Sequence, residues 1–164
     1  MLLAIVLSLL DHLRRGYRPN DTVVVHRPDG SWQAVPAATG GEAEPGLVVY
    51  RFAASLYYAN ANHLQEELRA LASADPPPAW IAIDCSAIAD VDFTGGETLK
   101  TLHAELAADG QRLVLTRVSD DVRAELDRYG VTELLGPDAV IDDSSDELLD
   151  LFRRAAPARP ATKG

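Results

Sequence analysis

The sequence predicts an α/β fold: a mixed, mostly parallel β-sheet with about four α-helices packed on it. Three observations carry this. The runs Leu47 to Phe52, Trp80 to Asp84 and Arg112 to Thr116 are short and almost continuously apolar, as strands buried on both faces require. The segments between them place apolar residues at helical spacing behind a capping residue. Strand and helix therefore alternate, which implies parallel pairing through right-handed crossovers, while a β-branched segment near the start adds edge strands.

Length and charge narrow the possibilities. At 164 residues and 47% hydrophobic, the chain suits one domain with a real core and is short for two. Fifteen Lys and Arg against 25 Asp and Glu give a formal charge of -10, which repels a polyphosphate backbone, so nucleic acid is not an expected partner. The single Cys85 excludes an internal disulfide and a cysteine-rich metal site, and fits a reducing compartment. His12, His26, His63 and His103 show no metal-ligand spacing, so no metal site is expected.

In chain order, Leu2 to Leu10 is apolar all round and is followed by Arg14, Arg15 and Arg18. A spanning helix needs about 20 apolar residues, so this run is half a span at most. Its basic residues follow the apolar run, unlike those of a secretory signal, and mark a cytoplasmic flank. Two readings are level: the last turns of a transmembrane helix with its exit linker, over 1–18, or a buried terminal helix. The domain proper is expected over 19–155.

Asp21 to His26 and Trp32 to Val35 read as strands joined through Pro28-Asp29-Gly30. Residues 39–46 read as an exposed loop. After the Leu47 strand, Asn60 or Asn62 is a natural N-cap for a helix carrying Leu64, Leu68 and Leu71, stopped by Pro76-Pro77-Pro78. The Trp80 strand is central by its apolarity. A helix after Thr94 carries Leu99, Leu102 and Leu106 and closes at Gly110. After the Arg112 strand, Ser119 or Asp120 caps a helix with Val122, Leu126 and Tyr129, closed by Gly130. Val140 and Ile141 lead to Ser144-Ser145-Asp146-Glu147, a capping box for a last helix with Leu148, Leu151 and Phe152 inward. The tail, 156–164, has two prolines and no apolar pattern and is expected to be disordered.

Function is expected at the strand-to-helix junction from Ile83 to Leu99, because open α/β folds keep their working surface at the carboxyl ends of their strands. Thr94 can cap the helix that begins there, and Asp92 can cap or orient the turn. A phosphate on Thr94 would gain from the helix dipole and be opposed by Asp90, Asp92 and Glu97. Gly95 and Gly96 relieve backbone strain or let a ligand approach. No Gly-x-x-x-x-Gly-Lys-Ser/Thr occurs, so a nucleotide would lack a lysine cradle and bind weakly, at the helix-terminal amides of Gly95 and Gly96 with Leu56, Asp84 and Ser86 at neighbouring strand ends. Cys85 reads as a small buried apolar group, His63 and His103 as exposed polar groups on helices, and Ser119-Asp120-Asp121 as a cap. Arg51, alone on an apolar strand, calls for an acidic partner in the sheet or at an interface.

Three blocks together resemble the STAS domain at the carboxy terminus of SulP-type anion transporters: the linker Leu9 to Pro19, the stretch Pro45-Gly46 through Arg51-Phe52 to Tyr58-Ala59-Asn60-Ala61, and Asp92-Phe93-Thr94-Gly95. The resemblance implies a STAS fold on the cytoplasmic face of the plasma (inner) membrane, without catalytic residues or a required cofactor. It implies regulation or assembly of the transporter through contacts with its transmembrane domain, a regulatory protein or a kinase. It extends to weak binding of GTP, GDP or ATP, with Thr94 among the contacts. In the related anti-sigma-factor antagonists the hydroxyl before the glycine is phosphorylated; that position is Thr94 here, and a soluble antagonist switched there is the alternative. Phe93 departs from the family's usual small hydroxyl residue.

Overall fold

The computed structural model describes residues 21–141 and 145–155. The expected membrane exit over 1–18, Ser144 of the expected capping box and the tail 156–164 lie outside the described residues. Among the described residues, no helix is long and apolar enough to cross a membrane.

The chain starts with a hairpin. β1 (Thr22–His26) and β2 (Trp32–Pro36) pair antiparallel, with His26 opposite Trp32 and Thr22 opposite Pro36. The Asp29 carboxylate fixes the connection, accepting both the Ser31 amide (2.9 Å) and hydroxyl (2.6 Å), while Gly30 supplies the φ of 82° the turn needs. Pro36 has no amide to offer a ladder, and β2 is the edge strand on which that loss costs least.

β3 (Leu47–Arg51), β4 (Trp80–Asp84), β5 (Arg112–Thr116) and β6 (Val140–Ile141) complete a six-stranded sheet in the order β2-β1-β3-β4-β5-β6. β3 to β6 are parallel and β1 meets β3 antiparallel. Every residue of β4 is buried, as expected of its central place.

Strand alternation divides the core into two. Val48, Tyr50, Ile81, Ile83, Leu113 and Leu115 face one layer of helices. That layer holds α1 (Tyr58–Ala72), α2 (Phe93–Ala108), α3 (Asp120–Arg128) and α4 (Val131–Leu135). Leu64 and Leu68 of α1, Leu102 and Leu106 of α2 and Leu126 of α3 are its anchors, each burial contributing roughly 2 kcal/mol. Leu47, Val49, Trp80, Ala82 and Val114 face α5 (Ser145–Ala155) through Leu148, Leu149 and Phe152. The Phe152 ring meets Trp80 edge-on at 5.5 Å.

α2 ends as its glycine predicts. Gly110 has a φ of 73° and donates to Ala107, and Gln111 donates to Leu106 (2.8 Å), a Schellman closure. α4 is a fifth helix that the sequence reading lacks; five residues between Gly130 and Gly136 are too few to show a period. The N-cap of α1 is Tyr57, three residues before Asn60 and five before Asn62, and Asn60 lies inside the first turn, where its side chain accepts the Tyr57 amide (2.9 Å). The 39–46 segment is less open than expected: Ala43 is buried against the α5 layer, and Glu44 bridges to Leu47.

Candidate functional site

The segments after β3 and β4 run side by side at the carboxyl end of the sheet. Leu56 and Val91 form a parallel bridge, in which the Leu56 amide donates to Asp90 and the Asp92 amide donates to Leu56, both at 3.0 Å. The bridge brings the amino termini of α1 and α2 together. One side chain then serves both helices. Asp92 accepts the Gly95 amide on Oδ1 (2.7 Å) and the Tyr58 amide on Oδ2 (2.8 Å), so a single carboxylate caps two helices and meets the positive ends of two dipoles.

Of the two caps the sequence offers, Thr94 and Asp92, the structure uses Asp92. α2 starts at Phe93 with Asp92 as N-cap, and Thr94 is the second helical residue, half-exposed. Gly95 and Gly96 are buried. The Gly95 amide goes to the Asp92 carboxylate and the Gly96 amide to the Asp92 carbonyl (3.0 Å), so neither is free to hold a phosphate as the sequence reading supposed. Their role is close packing. A Cβ on Gly95 would stand 2.7 Å from the Leu56 carbonyl oxygen, and one on Gly96 3.0 Å from the Tyr129 ring.

A carboxylate pair lies beside the cap. Asp90 accepts the Tyr57 hydroxyl at 2.6 Å, and Glu125 of α3 accepts the Val91 amide at 2.7 Å. The Tyr57 hydrogen bond, then the contact with Glu125, holds Asp90 below the usual carboxylate range. Burial raises Glu125 and its contact with Asp90 adds to the rise, against the Val91 amide. Asp90 therefore carries the charge and Glu125 holds its proton longer.

Three aromatic rings stand out of this acidic corner: Tyr58 is 78% exposed, Phe93 63% and Tyr57 39%. Phe93 leans edge-on against Tyr129 at 5.9 Å, which fixes its position while leaving most of its face in solvent. Sequence reasoning missed this cluster, although an aromatic residue directly after an N-cap aspartate is a signal, because the first helical side chain points away from the core.

Of the other site residues, Leu56 is fully buried against Gly95, while Asp84 and Ser86 stand apart at the end of β4. Asp84 shares a face with Trp80 and Ala82, opposite the α1–α4 layer. Arg51 finds the acidic partner its position demanded: its Nε donates to Asp84 at 2.7 Å, and Arg117, just past β5, donates from Nε at 2.9 Å and from Nη2. Burial alone would raise Asp84, but the Arg117 and Arg51 guanidiniums outweigh it and hold the carboxyl below its ordinary value. Ser86 is exposed and gives its amide to Asp84 at 3.0 Å.

Cys85 is buried as expected, its thiol pushed up to about 12 by burial and the neighbouring Asp84 charge. The histidines correct their reading as exposed groups. His103 is half-buried with Nδ1 unpartnered inside, and His63 pairs with Asp21 at 2.8 Å. Among the described residues, the metal-capable side chains that come together are Asp21, His63 and Glu67, where the start of β1 meets α1.

The sequence model of the STAS domain family matches residues 42–148. A probable sulfate transporter of Mycobacterium tuberculosis is 30% identical over 142 residues, which cover 85% of this chain and 25% of that protein. The chain thus spans about a quarter of the length of such curated relatives. Among solved structures, mouse solute carrier 26 family member A9, an anion transporter in its inward-facing state, superposes with a TM-score of 0.72 at 18% identity, covering 93% of this chain and 25% of the other. The unphosphorylated anti-sigma factor antagonist SpoIIAA of Bacillus superposes with a TM-score of 0.53 at 18% identity, covering 69% of this chain and 94% of the other.

Proposed function

The chain belongs to the STAS domain family, and on that premise we propose that it is the cytoplasmic STAS domain of a SulP-type sulfate or related anion transporter. It acts as a contact module and not as an enzyme, on the cytoplasmic face of the inner membrane, regulating or assembling the transporter. The observation that carries this reading is the 30% identity to a probable sulfate transporter along 85% of the chain. The aromatic corner supports it from the chemistry. Tyr58 and Phe93 offer apolar area ringed by carboxylates, and the backbone beneath is locked by Asp92, so a partner meets a preformed surface. The partner we assign to it is the transporter's own transmembrane domain or a regulatory protein.

The test is sulfate uptake by the full-length gene in a host lacking its own sulfate permease. Uptake should fall when residues 21–155 are deleted, and fall again with Phe93→Asp in a protein that still reaches the membrane. A reading frame with no membrane spans upstream of Met1, or uptake indifferent to the deletion, overturns the reading.

A free antagonist switched by a kinase at Thr94 is the second reading, supported by the likeness to SpoIIAA and by the exposure of Thr94. Incorporation of phosphate at Thr94 by the cognate kinase would favour it. Weak GTP, GDP or ATP binding stays a proposal for the same corner, and since the Gly95 and Gly96 amides are engaged, the contacts left to it there are the side chain of Thr94 and the nearby rings.

A further inference from the structure

A second polar cluster lies where the start of β1 meets α1. Asp21 directly precedes β1, and its side chain is 3% exposed. Its Oδ1 is tied to the Ala53 amide at 3.0 Å, and its Oδ2 sits 2.8 Å from Nε2 of His63. Glu67 follows His63 by four residues on α1, so the two side chains stack on one face of the helix. One donor atom each from Asp21, His63 and Glu67 lies within 4.8 Å of the others.

The independent sign of a ligand is Tyr50. It stands opposite Val23 in the β1–β3 pair, on the face covered by α1, and is fully buried, its hydroxyl making no hydrogen bond of ordinary geometry. Burial first, then the Asp21 and Glu67 charges and loose contacts of the phenol with both carboxylates, push its pKa up. A buried hydroxyl without a well-formed hydrogen bond costs up to about 1 to 3 kcal/mol, and folded proteins seldom leave one so. Two carboxylates also converge here with one imidazole to offset them. A cation would relieve both defects, drawing in the carboxylates, taking the imidazole nitrogen and polarising the phenol.

We propose that Asp21, His63 and Glu67, with the Tyr50 hydroxyl above them, form a binding site for a divalent transition-metal ion of the zinc class. The donor set decides the class. An imidazole nitrogen with two carboxylate oxygens suits Zn²⁺, whereas Ca²⁺ and Mg²⁺ favour all-oxygen shells. A cleft of about 310 Å³ lined by Ala37, Gly41, Val48 and Leu71 reaches Glu67 from solvent. Because Asp21 anchors β1 to the chain after β3, and His63 and Glu67 belong to α1, the metal would tie the antiparallel edge of the sheet to its helical layer.

Titration calorimetry of the 164-residue chain with ZnCl₂, after EDTA treatment and dialysis, tests it. We expect one strong site, with MgCl₂ giving no comparable heat. His63→Ala and Glu67→Gln should each weaken zinc binding by about tenfold or more, while His26→Ala leaves it unchanged. Cobalt(II) absorption of the unmutated chain supplies a readout that needs no variant, a visible band marking a mixed nitrogen and oxygen shell. No stoichiometric zinc uptake, or uptake that survives both His63→Ala and Glu67→Gln within about twofold, overturns the proposal.

Discussion

Asp92 receives the first-turn amides of two helices on one carboxylate. A single N-cap is worth about 1 kcal/mol, and this carboxylate supplies two, so Asp92→Ala should lower stability by roughly 2 kcal/mol. Asp92→Asn keeps one acceptor oxygen and should lose about half of that. Urea unfolding followed by circular dichroism measures both, and equal losses for the two variants would refute shared capping. Of this residue the sequence showed half: an aspartate before Thr94-Gly95 reads as a cap, but the amide of Tyr58, 34 positions earlier, cannot be foreseen from spacing. The same limit hid Arg117. Arg51 announced itself as a charge on an apolar strand, while Arg117 sits in a loop where arginine is ordinary, and its φ of 56° becomes meaningful only once its guanidinium is seen on Asp84.

At the scale of elements, α2 is placed by what it lacks. A glycine-to-alanine change inside an exposed helix ordinarily stabilises by about 1 kcal/mol. At Gly95 the added methyl would meet a backbone oxygen at 2.7 Å, which cannot rotate away, so the sign reverses. Gly95→Ala should cost roughly 1 to 3 kcal/mol and part the Leu56–Val91 bridge, read as faster hydrogen exchange of the Leu56 and Asp92 amides. A stabilised Gly95→Ala protein would show that α2 has room to shift. Strands β3, β4 and β5 were legible because burial on both faces leaves a continuous apolar run, and the long helices because each buries one face and so imposes a period on the sequence. α4, the true start of α1 and the aromatic corner were not, since each is set by contacts between segments far apart in the chain.

Across the whole molecule, the carboxylates define opposite responses to pH. Folding holds Asp84 below its ordinary pKa, so its contribution is present above about pH 4 and is lost as acid protonates it in the folded state. Glu125 works the other way. Its pKa is raised by burial and by Asp90, so folding favours its protonated form, and that contribution is complete below about pH 4 and declines as pH rises through the raised value. A formal charge of -10 adds repulsion at neutral pH in the same direction as Glu125. Glu125→Gln separates the local effect from the global one. Glutamine keeps an acceptor for the Val91 amide and offers Asp90 a permanent donor, imitating the protonated acid. The variant should melt higher than the parent at about pH 8 and match it at about pH 4. A surface substitution that removes one negative charge, such as Glu66→Gln on the exposed side of α1, should give only the smaller gain due to net charge. If the two variants gain equally at the higher pH, the proton shared between Asp90 and Glu125 contributes nothing, and the corner's electrostatics reduce to the charge of the molecule as a whole.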